Sequence, residues 1–95
     1  MPQSVEAAVE QVLRVLGAVL PQEGAEMARD YLRHGEALLA VEMALGNMMD
    51  NDCALESSAA GQVLDLMSGL FEMRLLAQIK SDLNYLTSLS SRPEA

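Results

Sequence analysis

Three closely spaced carboxylates are the first residues in this chain that could do chemistry. The stretch DNDCALE supplies Asp50, Asp52 and Glu56, and oxygen ligands at alternating positions are what a calcium loop offers. An EF-hand loop, however, runs for about 12 residues, with Gly at its sixth position and a bidentate Glu at its end. Leu55 occupies the sixth place here. We therefore expect no calcium site, no other metal and no cofactor.

Catalytic chemistry has equally few candidates. The chain has one histidine, His34, and one cysteine, Cys53, and it lacks both a G-x-S-x-G motif and a phosphate-binding glycine-rich loop. A di-iron bundle would need two Glu-x-x-His pairs, which a single histidine cannot supply. Without a second cysteine, Cys53 forms no internal disulfide, which suits a reducing cytosol. We expect a protein that is not an enzyme.

The elements that position these residues are predicted to be helices, because apolar residues recur at helical spacing and period-2 alternation is absent. Ser4 is the expected N-cap of the first helix, and Pro21 is expected to stop it. Its inward side is predicted to carry Val5, Ala8, Val9, Val12, Leu16, Val19 and Leu20. A second helix is predicted over residues 22–33, followed by Gly35 as a left-handed C-terminal cap. Its predicted inward residues are Met27, Tyr31 and Leu32.

The third helix is predicted over residues 36–49, and its core side carries Leu38, Val41, Leu45 and Met48. After the turn-forming stretch DNDCALESS, Ser57 or Ser58 is expected to cap a fourth helix over residues 58–71. The apolar stripe beyond residue 73 consists of Leu75, Leu76, Ile79, Leu83 and Leu86. It is rotated by roughly 140° from the stripe of the fourth helix. Either the chain kinks near residues 72–74, or one long helix contacts different neighbours on opposite sides.

Four or five short-linked amphipathic helices predict an all-α bundle with a single domain. We expect this domain to span residues 1–90 and residues 91–95 to form a disordered tail. The composition, 51% hydrophobic and 21% charged, is typical of a folded chain. The acidic start lacks the pattern of a signal peptide, and no apolar run reaches the ~20 residues that span a bilayer. We therefore expect a cytoplasmic protein.

The negative charge of the chain is concentrated in its middle. The net charge is −8 at pH 7. Between Arg33 and Arg74 there is no Lys or Arg, and seven acids lie there: Glu36, Glu42, Asp50, Asp52, Glu56, Asp65 and Glu72. The remainder has seven acids and six bases, so its net charge is only −1. Because phosphate groups and anionic lipids attract Lys and Arg, we expect no direct nucleic-acid partner and no membrane partner. A protein with a basic surface is the complement.

The third helix carries a second stripe opposite its core side. At spacings of i, i+3, i+7, i+11 and i+14, it consists of Glu36, Leu39, Met43, Asn47 and Asp50. An apolar centre inside a charged rim suits a protein-binding surface, because the centre is desolvated and the rim steers the partner. The predicted partner-binding set is completed by Glu42, Asp52 and Glu56. Alternatively, another helix of the same bundle covers Leu39 and Met43.

At YLRHGEALLAVEMALGNMMDNDCAL, residues 31–55, the sequence resembles the MafI-like group of small bacterial immunity proteins. The shared features are a Gly-Glu turn, a glutamate inside an amphipathic helix, an asparagine, and an acidic loop before a helix cap. They correspond here to Gly35–Glu36, Val41–Glu42, Asn47, Asp50, Asp52 and Leu55 to Ser57. Two departures are Met48 and Met49, which stand where the group has aromatic residues, and a longer segment after Met73.

The resemblance implies an antidote that binds a secreted or contact-delivered toxin, often a nuclease, and neutralises it in the cytoplasm. Leu39 and Met43 would then be the buried anchors, and the carboxylates would pair with Lys or Arg of the toxin. A homo-oligomer is possible but not required. The alternative is an acidic helical chaperone or adaptor for a secreted protein, dimeric through the Leu75–Leu86 stripe.

Overall fold

Five helices account for most of this chain. The computed structural model describes residues 4–69, 71 and 73–90, of which residues 73–75 and 90 are described through their backbone only. The helices are α1 (Val5–Leu16), α2 (Gln22–Arg33), α3 (Ala37–Asp50), α4 (Ser57–Met67) and α5 (Met73–Ser90). They form one globule, and the predicted all-α bundle is confirmed. The predicted tail at 91–95 lies outside the described residues.

The ends of the first helices follow their local chemistry. Ser4 caps α1, since its Oγ accepts a hydrogen bond of 3.0 Å from the backbone N–H of Ala7. α1 ends at Leu16, five residues before Pro21, so the prediction that Pro21 stops it is wrong, and Pro21 is instead the N-cap of α2. Gly35 has a φ of 79°, as predicted for a left-handed cap, and lets the chain reverse into α3. The boundaries of the α2–α3 hairpin are therefore set by short sequence signals.

Two residues predicted to face the core lie on the surface instead. Val19 is 36% exposed, because α1 ends three residues earlier and helical spacing no longer applies there. Met27 is 37% exposed, because α2 buries a face made of Gly24, Ala28 and Leu32. Small residues on that face let the backbones of two helices approach closely. Ranking by hydrophobicity favours a methionine over such residues, which is why the prediction was wrong.

α1 and α3 each contact three other helices. α3 contacts α1, α2 and α5, while α1 also contacts α2 and α4, and α4 contacts α5. The helices thus form a ring in the order α1, α2, α3, α5, α4, with α1 and α3 also meeting across it. Fully buried side chains from four helices fill the centre: Val9, Val12, Leu13, Leu16, Val41, Leu45, Met48, Val63, Met67, Ile79, Leu83 and Leu86. None of the described helices combines the length and apolarity needed to cross a membrane.

The two apolar stripes of the C-terminal third belong to two separate helices. α4 ends at Met67, earlier than predicted, and Gly69 adopts a φ of 83° between the helices. Glu56, rather than Ser57 or Ser58, is the N-cap of α4, and its side chain makes no capping hydrogen bond.

The later stripe is used inside the molecule. Ile79, Leu83 and Leu86 are buried in this chain's own core, so the prediction that they could form a homodimer seam is wrong. The side chain of Leu75 lies outside the described residues.

Candidate functional site

α3 turns one face to the core and the opposite face away from it. Its buried residues are Ala40, Val41, Ala44, Leu45 and Met48. At about 100° per residue, these side chains point in one general direction. The opposite direction is occupied by residues that we call the outer face: Glu36, Leu39, Glu42, Met43, Gly46 and Asp50. Five of the eight residues in the predicted partner-binding set therefore lie together.

The apolar centre of the outer face is only partly covered. Leu39 and Met43 are half-buried, and neither belongs to the core cluster or to the partly buried residues that pack against it. Between them and the helix end, a Cβ added to Gly46 would meet nothing within 4 Å. Although α5 packs on α3, it leaves this centre accessible. Other parts of the bundle cover Leu39 and Met43 in part but do not bury them fully.

The carboxylates around this centre are exposed and have no cationic partner in the described part of the chain. Glu36, Glu42 and Asp50 are all exposed. The ion pairs among residues 4–69, 71 and 73–90 belong instead to Asp30, which lies 3.4 Å from Arg33 and 4.0 Å from the His34 ring. The outer face therefore presents hydrated negative charge that an external cation can approach.

Asp50 sits at an electrostatically unfavourable place. It is the last residue of α3, where unpaired backbone carbonyls make the helix end negative. α3 has no basic residue in its last turn and no acidic residue in its first turn. A helix C-terminus usually favours a cation, and α3 has an aspartate there instead. Folding stability therefore does not account for this residue.

Asp50→Lys is expected to raise the free energy of unfolding by about 0.3–1 kcal/mol at low ionic strength, because a cation replaces an anion at the helix C-terminus. Urea denaturation followed by circular dichroism measures this change, which should shrink in high salt. Glu42→Lys is the matched control, since it makes the same charge change in mid-helix. An equal gain from both variants would assign the effect to net charge and not to the helix end.

Asn47, although predicted as part of the partner-binding stripe, is turned towards α2. An ideal Cβ on Gly24 would lie 2.5 Å from the Asn47 Oδ1 and 2.9 Å from its Cβ. This Oδ1 is buried and has no hydrogen-bond partner in the described part of the molecule. The structure thus places Asn47 in the α2–α3 contact, apart from the outer face.

Asp52 and Glu56 continue the acidic sequence beyond the end of α3. Asp52 is exposed in the turn after α3, with a φ of 51° that aspartate tolerates better than most residues. Glu56 starts α4 and lines a cleft with the end of α1. Within the described residues, α3 and α4 make no helix-to-helix contact, so Glu56 faces another side of the bundle.

Met27 lies at the surface of α2 at the level of the outer face, and sequence reasoning missed its exposure. The close approach of Gly24 to Asn47 sets the register of the antiparallel α2–α3 pair. One turn along, this register brings Met27 level with residues 43 and 44, and Met27 is 37% exposed. The one sequence signal for this exposure was that α2 also carries small residues, whose burial allows two helices to pack more closely than a buried methionine would.

No protein-family model matches this chain, and comparisons with curated proteins and with solved structures also found no match. The resemblance of residues 31–55 to the MafI-like group therefore stays a prediction. The outer face has to be interpreted from its own chemistry.

That chemistry is recognition of a cationic surface. Exposed carboxylates accept hydrogen bonds from Lys and Arg, and Arg can bind a carboxylate through two parallel hydrogen bonds. The flexible side chains of Met27 and Met43 can adapt to the shape of an opposing surface. Leu39 supplies a more rigid anchor between them and Glu42.

Proposed function

We propose that this protein is a bacterial immunity protein, which binds the basic surface of a cognate toxin in the cytoplasm and neutralises it through the outer face of α3. One observation carries the proposal. The bundle leaves Leu39 and Met43 partly exposed within a rim of carboxylates that have no cationic partner among the described residues.

The two parts of this surface would contribute differently to binding. Leu39, Met43 and Met27 would lose their remaining exposed area against the toxin, which favours association by about 25 cal/mol for each Å² of apolar surface removed from water. The carboxylates would mainly raise the association rate and select a cationic partner. A nuclease is a suitable partner, because its active-site groove must be basic to hold phosphates.

The position of Asp50 also supports the proposal. A carboxylate at the C-terminus of a helix opposes the helix dipole, so Asp50 does not serve helix stability, and a role in binding would account for it. The segment between Arg33 and Arg74 supports the same conclusion, since it contains seven acids and no Lys or Arg. A surface adapted only for solubility would intersperse both signs.

Reversing the charge of the outer face is expected to impair binding without unfolding the protein. In Glu42→Lys/Asp50→Lys, two exposed rim carboxylates become cations, and association with the toxin should slow about tenfold or more at low salt. The matched control is Glu6→Lys/Glu10→Lys, which makes the same charge change on exposed residues of α1. It should slow association less than threefold.

The binding partner for this experiment is the basic C-terminal domain that we expect the neighbouring reading frame to encode. Surface plasmon resonance measures the rate constants, and growth of a bacterial host expressing both proteins measures protection. Circular dichroism establishes that both variants keep their helicity. If the outer-face variant binds and protects as well as the control, the proposed surface is wrong.

A further inference from the structure

A groove between α1 and α4 lies on another side of the bundle from the outer face. It consists of two adjoining clefts of about 520 Å³ and 350 Å³, which share Val15 and Gln62 in their linings. The larger cleft is bounded by the end of α1, the α3–α4 loop and the start of α4. The smaller one continues between the middle of α1 and the second half of α4. Together they follow the whole α1–α4 contact.

The floor of this groove is apolar and remains partly exposed to solvent. Val15, Ala59 and Leu66 are half-buried along it, and Val19 is 36% exposed at its open end. Aliphatic side chains left partly exposed in a concave surface gain from further burial when a ligand covers them. The groove can therefore hold an apolar stripe.

The charges of the groove lie near its two ends and have one sign. Glu56 belongs to the larger cleft and Asp65 to the smaller one, and both are exposed. Neither cleft is lined by Lys or Arg, and neither carboxylate forms an ion pair with another described residue. Glu56 is the N-cap of α4 and Asp65 lies nine positions later, which corresponds to about 13 Å along the helix axis at 1.5 Å per residue. Seven residues of a partner helix rise about 10 Å and return to the same face, and the long side chains of Lys or Arg cover the rest.

We propose that this groove binds an amphipathic helical segment of a partner protein, with Lys or Arg about seven residues apart on one flank of its apolar stripe. A helix laid along α1 and α4 would place its apolar face on Val15, Val19 and Leu66, as in other helix-in-groove complexes. Its cations would reach Glu56 and Asp65. Gln11 and Gln62, which are exposed on opposite walls, can hydrogen-bond its polar side chains.

The test uses two synthetic helical peptides of about 15 residues that share one leucine stripe. One peptide carries arginines about seven residues apart, on one flank of the stripe, and the other carries glutamates at the same positions. Binding is measured by fluorescence anisotropy, and its location is mapped by NMR amide shifts of the full chain. The arginine peptide should bind the wild type at least tenfold more tightly than the glutamate peptide. Its shifts should centre on Val15, Val19 and Gln62.

Charge-reversed variants make the test specific. In Glu56→Lys/Asp65→Lys, the preference between the two peptides should invert. Asp65→Lys alone leaves the N-terminus of α4 unaltered and should move the preference in the same direction. Glu42→Lys/Asp50→Lys changes the net charge equally but leaves the groove intact, so binding of the arginine peptide should persist there.

Three outcomes would overturn the proposal. They are an equal loss of arginine-peptide binding in both double variants, amide shifts centred on α3, and a concentration-dependent dimer in light scattering that occupies the groove. None of these readouts involves the toxin. The groove can therefore fail while the immunity function holds, and the reverse is equally possible.

Discussion

Leu45→Ala is expected to lower the free energy of unfolding by about 2–5 kcal/mol, whereas Leu39→Ala should lower it by about 1 kcal/mol or less. Both substitutions remove the same atoms from the same helix. Leu45 is fully buried, so its truncation leaves a cavity that the core of small and aliphatic side chains cannot close. Leu39 lies on the outer face, outside the core cluster, so water can fill the space that it vacates.

The measurement is urea denaturation followed by circular dichroism, with the denaturant slope used to check that the unfolded states are comparable. Leu39→Ala should also weaken toxin binding by more than 1 kcal/mol if Leu39 is an interface anchor. Equal losses of stability from the two truncations would mean that Leu39 is a core residue. The outer face would then lose its apolar centre, and the proposed function would lose its main support.

Gly24→Ala is expected to lower the free energy of unfolding by about 1–3 kcal/mol, because the new methyl group overpacks the α2–α3 contact. The added Cβ would lie 2.5 Å from the Asn47 Oδ1, 2.6 Å from its Cγ and 2.9 Å from its Cβ. Rotation of the Asn47 side chain can move the first two atoms but leaves its Cβ in place. The two helices must therefore separate slightly.

Gly61→Ala is the matched control for this substitution. Gly61 lies within α4, and a Cβ there would meet nothing within 4 Å. The alanine should therefore raise stability by about 0.5–1 kcal/mol through helix propensity alone. The critical comparison is between the two changes in the free energy of unfolding, which should have opposite signs. Stabilisation by Gly24→Ala would show that α2 and α3 do not approach as closely as described.

Asn47→Ala should partly rescue Gly24→Ala, because it removes the clashing amide. On its own it removes a buried carbonyl with no hydrogen-bond partner in the described residues, so its effect on stability should be small. A double-mutant cycle over these two positions measures the coupling. It also tests whether Asn47 positions α2, as its contacts indicate, or binds a partner, as its spacing predicted.

Much of the fold could be read from local signals. Ser4, Pro21 and Gly35 act on backbone within a few residues of themselves, and α2 runs over the predicted residues. The α4–α5 boundary was harder, because a single glycine is a weak break signal. The helix ends where Ser68 becomes extended, and Gly69 follows with a positive φ, whereas the periodicity indicated only that the stripe changes direction.

The candidate site was predictable in its composition but only partly in its geometry. Counting charges located the acidic segment, and helical spacing grouped Leu39 and Met43 with Glu36 and Asp50. Spacing within one helix could not show that Asn47 meets α2 or that Met27 joins the same surface. Those facts depend on how closely two helices approach.

By itself, the sequence determined that this chain forms short amphipathic helices and where its unbalanced negative charge lies. Both follow from interactions within a few residues and from composition. Only the tertiary structure decided which apolar side chains remain accessible. On α2, burial goes to the face whose small residues permit the closest packing. Gly24 and Ala28 form that face, which leaves Met27 at the surface, while the helices that pack on α3 leave Leu39 and Met43 partly exposed.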